Sequence, residues 1–172
     1  AVAELGCAVT TVPPAPDGVI EPERLLAALR PESVLVALQL ANNEVGTVQP
    51  VGAVAAGCRE RGVPLLCDAV QAVGKIAVDR EALGADYLVL AGHKFHGPVG
   101  AAALVVRGDT PFLPWLVGGA QERRRRASTT NVAAVVGLGA AAAVAHGELP
   151  ARAARLAALR DRCEEGLGAI PG

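Results

Sequence analysis

The feature that most constrains the fold of this chain is the alternation of continuous apolar runs with segments of helical pattern. The apolar runs are rich in valine and leucine, and we predict buried strands at 33–40, 63–69, 87–92 and 101–108, with a shorter strand at 7–12. Helices are predicted at 22–30, 50–62, 79–86, 131–147 and 150–168. Because strands buried on both faces are typical of parallel sheets, we predict an α/β fold with a mostly parallel sheet flanked by helices.

The distinctive polar residues of the first hundred positions follow these predicted strands directly. Asn43 follows the first long strand, and Asp68 lies at the end of the second, with Gln71 shortly after it. Lys94 follows the third. Ligands of doubly wound folds bind beyond the carboxyl ends of the strands. If the three strands are neighbours, an amine, a carboxylate and two amides converge on one cleft.

Length, composition and charge restrict the classes of protein to consider. The 172 residues suit one domain, and 52% of them are apolar, which is enough for a sizeable core. Only 2% are aromatic, so that core must consist mainly of alanine, valine and leucine. The formal net charge of −1 gives no reason to expect a nucleic acid or an anionic membrane as partner.

The four cysteines, Cys7, Cys58, Cys67 and Cys163, form no CxxC pair, and the chain has three histidines. The pattern therefore suggests no zinc-type site. We interpret the cysteines as buried free thiols in a reducing, cytoplasmic setting.

The limits of the chain suggest a piece of a longer protein. It begins with alanine and contains no methionine, so any targeting segment is expected upstream. The longest apolar stretch, 131–147, is alanine-rich and short for a membrane span. We predict it as a buried helix.

The chemistry of the strand-end residues is that of a pyridoxal phosphate site. An amine such as that of Lys94 forms a Schiff base with the cofactor aldehyde, and a carboxylate such as that of Asp68 keeps the pyridine nitrogen protonated. Simpler interpretations stay open. Asp68 can instead cap a following helix, Lys94 can be a surface residue, and Asn43 can belong to an ordinary turn. The loop histidines His93 and His96 can be purely structural.

Four ordered motifs give the chain a specific resemblance. The segments ANNEVGTVQPV, CDAVQAVGK, GADYLVLAGHKFHGP and GGAQERRRRASTTNV occur in this order over nearly the whole chain. Together they resemble the NifS-like cysteine desulfurase and selenocysteine lyase group, which are class V aminotransferase-family, pyridoxal-phosphate-dependent enzymes of fold type I. The resemblance implies the large, cofactor-binding domain of such an enzyme.

The resemblance also implies a role for each matching residue. Lys94 would bond covalently to pyridoxal 5'-phosphate and later move a proton at the substrate Cα, so it is the expected catalytic residue. Asp68 would pair with the pyridine nitrogen, and Gln71 would bond the phenolate oxygen. Asn43 would lie near that oxygen and the substrate carboxylate. No metal is implied.

Two further residues are implied at the cofactor phosphate. His93 would help to bind it, and Thr129 would reach the phosphate of the neighbouring subunit in a homodimer. The chain departs from the family at several nearby positions. Ala91 cannot bond a phosphate, and Ser128 stands where the family has a glycine. If that glycine has a positive φ, Ser128 strains the loop.

The family pattern extends beyond this chain at both ends. Residues 1–172 correspond to the central and C-terminal part of the large domain, and the upstream phosphate loop and the downstream small domain are expected outside it. The family's catalytic cysteine and substrate arginine would also lie downstream, so we expect the isolated chain to be inactive. Turnover of cysteine by the purified chain would contradict this expectation.

The implied reaction releases alanine from L-cysteine or L-selenocysteine and passes sulfur or selenium to an acceptor protein or a reductant. Phe95 and the segment 110–122 favour the selenocysteine lyases. An alternative is another fold-type I aminotransferase or lyase that uses the same lysine and aspartate. A second alternative is a truncated chain that only dimerises or binds a partner.

Overall fold

A computed structural model describes residues 3–170, which form two compact units. The first unit contains the described residues up to Gln71, together with Asp79–Val89 and Leu104–Pro111. The second unit contains Ala72–Val78, Leu90–Ala103 and the described residues from Phe112 onward.

A four-stranded sheet carries the strands in chain order. Its members are β1 (Val36–Gln39), β2 (Leu65–Asp68), β3 (Tyr87–Ala91) and β4 (Ala102–Val106). The pairs β1–β2 and β2–β3 are parallel, which confirms the predicted mostly parallel sheet. β4 is antiparallel to β3, since the Arg107 amide donates to the Asp86 carbonyl while the Gly92 amide donates to the Ala101 carbonyl.

Three helices of the first unit confirm the predicted alternation, although each is shorter than predicted. They are α1 (Pro22–Ala27), α2 (Val51–Glu60) and α3 (Arg80–Leu83). Pro22 lies in the first turn of α1, where its missing amide has no cost. The Asp79 carboxylate caps α3 by accepting hydrogen bonds from the amides of Glu81 and Ala82.

The core of the first unit is aliphatic, as the composition predicts. Its largest fully buried side chains are Leu65, Val51, Val54, Cys58 and Cys67. α1 packs directly on α2, because a Cβ added at Gly57 would lie 2.2 Å from the Leu26 Cδ1 atom. Two of the four predicted buried thiols, Cys58 and Cys67, are therefore confirmed as buried. The prediction is wrong for Cys7 and Cys163, which are exposed.

The predicted strand at 7–12 is absent, and this prediction is wrong. These residues have no regular structure, and most of them are exposed. A short strand is stable only when a neighbouring strand pairs with its backbone. In the structure, β1 pairs with β2 through residues 36–39 and 65–68, and the segment 7–12 takes no part in this pairing.

The second unit contains a 3₁₀ turn, Gly92–Phe95, which we call the Lys94 turn, and two helices. α4 spans Gln121–Arg124, with a non-helical backbone at Glu122 and Arg123, and α5 spans Val132–Gly168. The predicted helices 131–147 and 150–168 are thus one continuous helix with Pro150 inside it. A proline in a helix removes one backbone hydrogen bond, and here that loss does not end the helix.

α5 is mostly exposed, so the prediction of a buried helix is wrong. Its buried residues in the described structure are Ala134 and Ala145. By length and composition α5 could cross a membrane, a test that the core helices of soluble proteins also pass. Its first turn is capped by the Asn131 side chain, which accepts a hydrogen bond of 3.1 Å from the Ala134 amide.

Candidate functional site

In the first unit, parallel pairing brings the chain that leaves β1 beside the end of β2. Asp68 is the register partner of Gln39, and the Leu40 amide donates a 2.8 Å hydrogen bond to the Asp68 carbonyl. Residues 41–43, which follow Leu40, therefore leave the sheet at the edge where Asp68 lies. The ends of β1 and β2 therefore share one edge of the sheet, as parallel pairing predicts.

The Asp68 carboxylate is held in place by its own turn. Asp68 is half-buried, and its Oδ1 atom accepts a 3.0 Å hydrogen bond from the Val70 amide. Turns rather than a helix follow it, so Asp68 does not cap a helix. A half-buried carboxylate with a fixed orientation can receive a cationic N–H group of a ligand.

Cys67 is not a nucleophile. Burial raises the pKa of its thiol to about 11, and the neighbouring Asp68 charge adds to the increase. Burial likewise raises the pKa of the Cys58 thiol, against a smaller lowering by the Arg61 charge and with a still smaller increase from Asp86. Both thiols are therefore protonated near neutral pH.

The turn after β1 is organised by Asn42. Its Oδ1 atom accepts hydrogen bonds from the amides of Glu44 at 2.8 Å and Val45 at 3.0 Å. The adjacent Asn43 is exposed, and its amide nitrogen donates to the Glu44 carboxylate at 2.7 Å. Asn43 therefore belongs to a turn, as the simpler interpretation predicted. Gln71 is half-buried.

In the second unit, packing below the Lys94 turn fixes its backbone. Phe95 is only 2% exposed, and the Gly97 amide donates to the Gly92 carbonyl at 2.8 Å. Gly92 is buried, and a Cβ there would lie 2.9 Å from the Leu138 Cδ1 atom of α5. The absent side chain at Gly92 is therefore explained by packing against α5.

Lys94 is half-buried on this turn, and the preceding His93 is exposed. Its backbone is anchored by the buried Phe95 and Gly92 on either side. His96 ends the turn with a φ of 70°. Its position is explained by the turn geometry, which needs a left-handed residue at this point.

The segment from α4 to Thr129 contains several residues with positive φ. Glu122, Arg123, Arg124 and Ser128 have φ values of 48°, 57°, 66° and 88°. Thr129 is exposed, and the buried Ala127 anchors the loop through a 3.0 Å hydrogen bond from its amide to the Leu116 carbonyl. The expectation of strain at Ser128 is therefore supported, because its φ is in a region that favours glycine.

Replacing Ser128 by glycine is expected to stabilise the protein. Glycine relieves the positive-φ strain but adds entropy to the unfolded chain, so the net gain is about 0.5–1 kcal/mol in the free energy of unfolding. Urea unfolding measures it. Ser128→Ala keeps the strain and is the matched control. Equal stability of the glycine and alanine variants would contradict the prediction.

The second unit has an open cavity near the Lys94 turn. It has a volume of about 620 Å³ and lies beside the end of the Lys94 turn and α5. Its lining includes Phe95, His96, Pro98, Val144 and Arg152, but not Lys94. Among residues 3–170, no group of three or more His, Cys, Asp or Glu side chains could hold a metal ion.

The structure thus places the predicted residues in two groups. Asn43, Asp68 and Gln71 belong to the first unit, while His93, Lys94 and Thr129 belong to the second. Their chemistry fits pyridoxal 5'-phosphate: an amine for the aldehyde, a carboxylate for the pyridine nitrogen, amides for the phenolate, and an imidazole and a hydroxyl for the phosphate.

The sequence patterns did not single out Lys75 as a functional residue. It lies in the second unit, four positions after Gln71 in the CDAVQAVGK segment. The Lys94 charge contributes to a lowered pKa of Lys75, after burial as the larger cause.

Known proteins resemble the chain over almost its whole length. The family described as "Aminotransferase class-V" matches residues 1–172. The chain is 42% identical over 166 residues to "Cysteine desulfurase IscS" of Methanosarcina thermophila, a match that covers 96% of this chain and 41% of that protein. The chain therefore spans less than half the length of this relative.

Solved structures resemble the chain in fold as well as in sequence. The structure titled "NIFS-LIKE PROTEIN" matches with a TM-score of 0.92 and 37% identity, over 96% of this chain and 46% of that one. The structure titled "SspA in complex with cysteine" matches with a TM-score of 0.78 and 35% identity, over 82% of this chain and 41% of that one. The chain belongs to the aminotransferase class-V family of pyridoxal-phosphate-dependent enzymes.

Proposed function

We propose that this chain is the central part of the large domain of a cysteine desulfurase that uses pyridoxal 5'-phosphate. The observation that carries the proposal is Lys94, a half-buried amine on a turn fixed by packing at the end of a parallel-sheet strand. The proposal is supported by the 42% identity to a protein named as a cysteine desulfurase.

Lys94 is proposed to hold the cofactor covalently and to carry a proton to and from the substrate Cα. Pyridoxal 5'-phosphate supplies, when bound, a protonated ring that accepts electrons from the carbon that loses its proton. Asp68 holds the proton on the pyridine nitrogen through its fixed carboxylate. A lysine amine can act as a nucleophile and as a base only when it is neutral.

The other predicted residues orient the ligands in this proposal. Gln71 donates its amide to the phenolate oxygen, and Asn43 binds near that oxygen and the substrate carboxylate. His93 binds the cofactor phosphate of its own subunit. Thr129 binds the phosphate of a neighbouring subunit, so the proposal includes a homodimer.

Cysteine is the proposed substrate, because the relative and the structure reported above carry cysteine in their names. Selenocysteine is the second candidate, favoured by Phe95 and by the segment 110–122. Sulfur or selenium passes to an acceptor protein or a reductant. The cytoplasmic location is proposed because Cys7, Cys58, Cys67 and Cys163 are free thiols.

Product analysis of the intact protein that contains this chain tests the proposal. With pyridoxal 5'-phosphate and L-cysteine, alanine and persulfide sulfur are expected in equal amounts. The same assay with L-selenocysteine compares kcat/KM for the two substrates. Formation of a keto acid with transfer of the amino group would instead identify an aminotransferase and contradict the proposal.

A further inference from the structure

A closed loop, residues 40–49, carries Asn43 away from the end of β1 and back, and we call it the Asn43 loop. The Gln49 amide donates a 2.8 Å hydrogen bond to the Leu40 carbonyl, which joins the two ends of the loop. The Leu40 amide in turn donates to the Asp68 carbonyl, also at 2.8 Å. The base of the Asn43 loop is therefore fixed beside Asp68.

A second turn, residues 15–20, lies against the returning arm of the Asn43 loop. The Gly18 amide donates a 2.8 Å hydrogen bond to the Ala15 carbonyl, and Gly18 has a φ of 81°, which glycine adopts without strain. A Cβ added at Gly18 would lie 3.1 Å from the Thr47 Cγ2 atom. The turn at 15–20 therefore packs its backbone directly on the Asn43 loop.

The Gln49 side chain joins this turn to the Asn43 loop. Its Oε1 atom accepts a 2.7 Å hydrogen bond from the Ile20 amide, and its Nε2 atom donates a 2.8 Å hydrogen bond to the Gly18 carbonyl. Both bonds are partly buried. A glutamine amide offers an acceptor and a donor at once, so a single side chain satisfies both backbone groups. Gln49 therefore clamps the end of the Asn43 loop to the turn at 15–20.

We propose that Gln49 is a positioning residue that holds the Asn43 loop where Asn43 can meet the substrate carboxylate. This inference rests on the proposed function, in which Asn43 binds near that carboxylate. Asn43 is exposed, and its side chain donates to the carboxylate of the adjacent Glu44. That bond is internal to the loop and does not tie it to the sheet. The position of Asn43 therefore depends on the contacts at the base of the loop, two of which Gln49 makes.

The physical basis of the inference is the cost of ordering a loop. Exposed loops have a low local stability, and a ligand that must order one loses affinity. A clamp at the base of the loop supplies this order before the substrate arrives. Gln49 has no proposed contact with the substrate or the cofactor, so its effect on substrate binding passes through Asn43.

Kinetics of the intact protein that contains this chain test the proposal. Gln49→Met keeps the length of the side chain and removes both hydrogen bonds. It is expected to raise KM for L-cysteine by about two- to fivefold, the loss for one side chain that must be ordered on binding, and to leave kcat within about twofold. An unchanged KM would overturn the inference.

A double-mutant cycle shows whether Gln49 acts through Asn43. In an Asn43→Ala background, Gln49→Met is expected to leave KM unchanged, because the group that it positions is already missing. An increase of KM by the same factor in both backgrounds would overturn the inference.

Two further variants separate positioning from general stability. Asp79→Ala removes the cap of α3, so a lower urea midpoint and an unchanged KM are expected. A KM increase in Asp79→Ala as large as in Gln49→Met would overturn the inference. Gln49→Glu keeps an acceptor for the Ile20 amide and loses the donor to Gly18, so its KM is expected to be intermediate. If Gln49→Met does not fold, Gln49→Glu carries the same test.

Hydrogen exchange of the cofactor-free protein measures the Asn43 loop directly. The amides of Asn42, Glu44 and Val45 donate hydrogen bonds within this loop. In Gln49→Met these amides are expected to exchange at least about threefold faster, while the amides of β2 keep their wild-type rates. Wild-type exchange rates of the loop amides in Gln49→Met would overturn the inference.

The measurements separate failure of the inference from failure of the proposed function. If the intact wild type releases no alanine from cysteine, the proposed function fails and the role of Gln49 in substrate binding fails with it. Hydrogen exchange then still decides whether Gln49 holds the Asn43 loop. If the wild type is active and Gln49→Met has the same KM, the proposed function stands and the positioning role of Gln49 is wrong.

Discussion

Replacing Lys94 by alanine is expected to abolish the trapping of pyridoxal 5'-phosphate on the protein by borohydride. Reduction makes the bond between the cofactor aldehyde and a lysine amine permanent, so a chain without that amine retains no label. Lys94 is the candidate because it is half-buried on a turn anchored by Phe95. Peptide mass spectrometry after reduction locates the adduct.

The same substitution is expected to lower kcat for release of alanine by about 10²–10⁴-fold, since the proposed proton carrier at the substrate Cα is also lost. Lys75→Ala is the matched control on the adjacent turn, and its cofactor is expected to remain trapped on Lys94. A reduced adduct of normal yield in Lys94→Ala would contradict both the assignment and the proposed function.

Replacing Asp86 by alanine is expected to cause a large loss of stability. Asp86 is a buried charged residue at 8% exposure, and its Oδ2 atom accepts a 2.8 Å hydrogen bond from the Leu65 amide at the start of β2. Its Oδ1 atom lies 2.5 Å from the Arg107 guanidinium. Alanine leaves the buried amide without an acceptor and the guanidinium without its partner.

The expected decrease in the free energy of unfolding is about 2–4 kcal/mol, below the full value for a buried ion pair because Arg107 is about half exposed. Urea unfolding of the purified protein measures this change. Asp86→Asn keeps an acceptor for the Leu65 amide and is expected to lose less. Asp109→Ala, at an exposed position, is the control. A loss in Asp86→Ala no larger than in Asp109→Ala would show that the pair contributes nothing.

The sequence predicted the sheet of the first unit well, because the signals are local. A continuous apolar run between two helical patterns predicts a buried strand, as for Leu65–Asp68. In the structure β1, β2 and β3 each lie within one of these runs. The polar residues at their ends could be identified for the same reason. Asp68 lies at the last position of β2, as the apolar run indicates.

The predictions failed where the outcome depends on distant parts of the chain. The segment 7–12 has the composition of a strand but has no strand structure. Two helices are predicted at 131–147 and 150–168, yet α5 is continuous through Pro150. Neither outcome can be predicted from a local window.

By itself, the sequence determined the class of the fold, the order of the strands and helices, and the residues at the strand ends, because side-chain period and motif order are properties of the chain alone. Tertiary structure decided the antiparallel direction of β4, the exposure of α5, the positive φ of Ser128 and the hydrogen bonds that join Gln49 to the turn at 15–20. These features arise from packing between residues far apart in the chain, where local patterns carry no information about direction or distance.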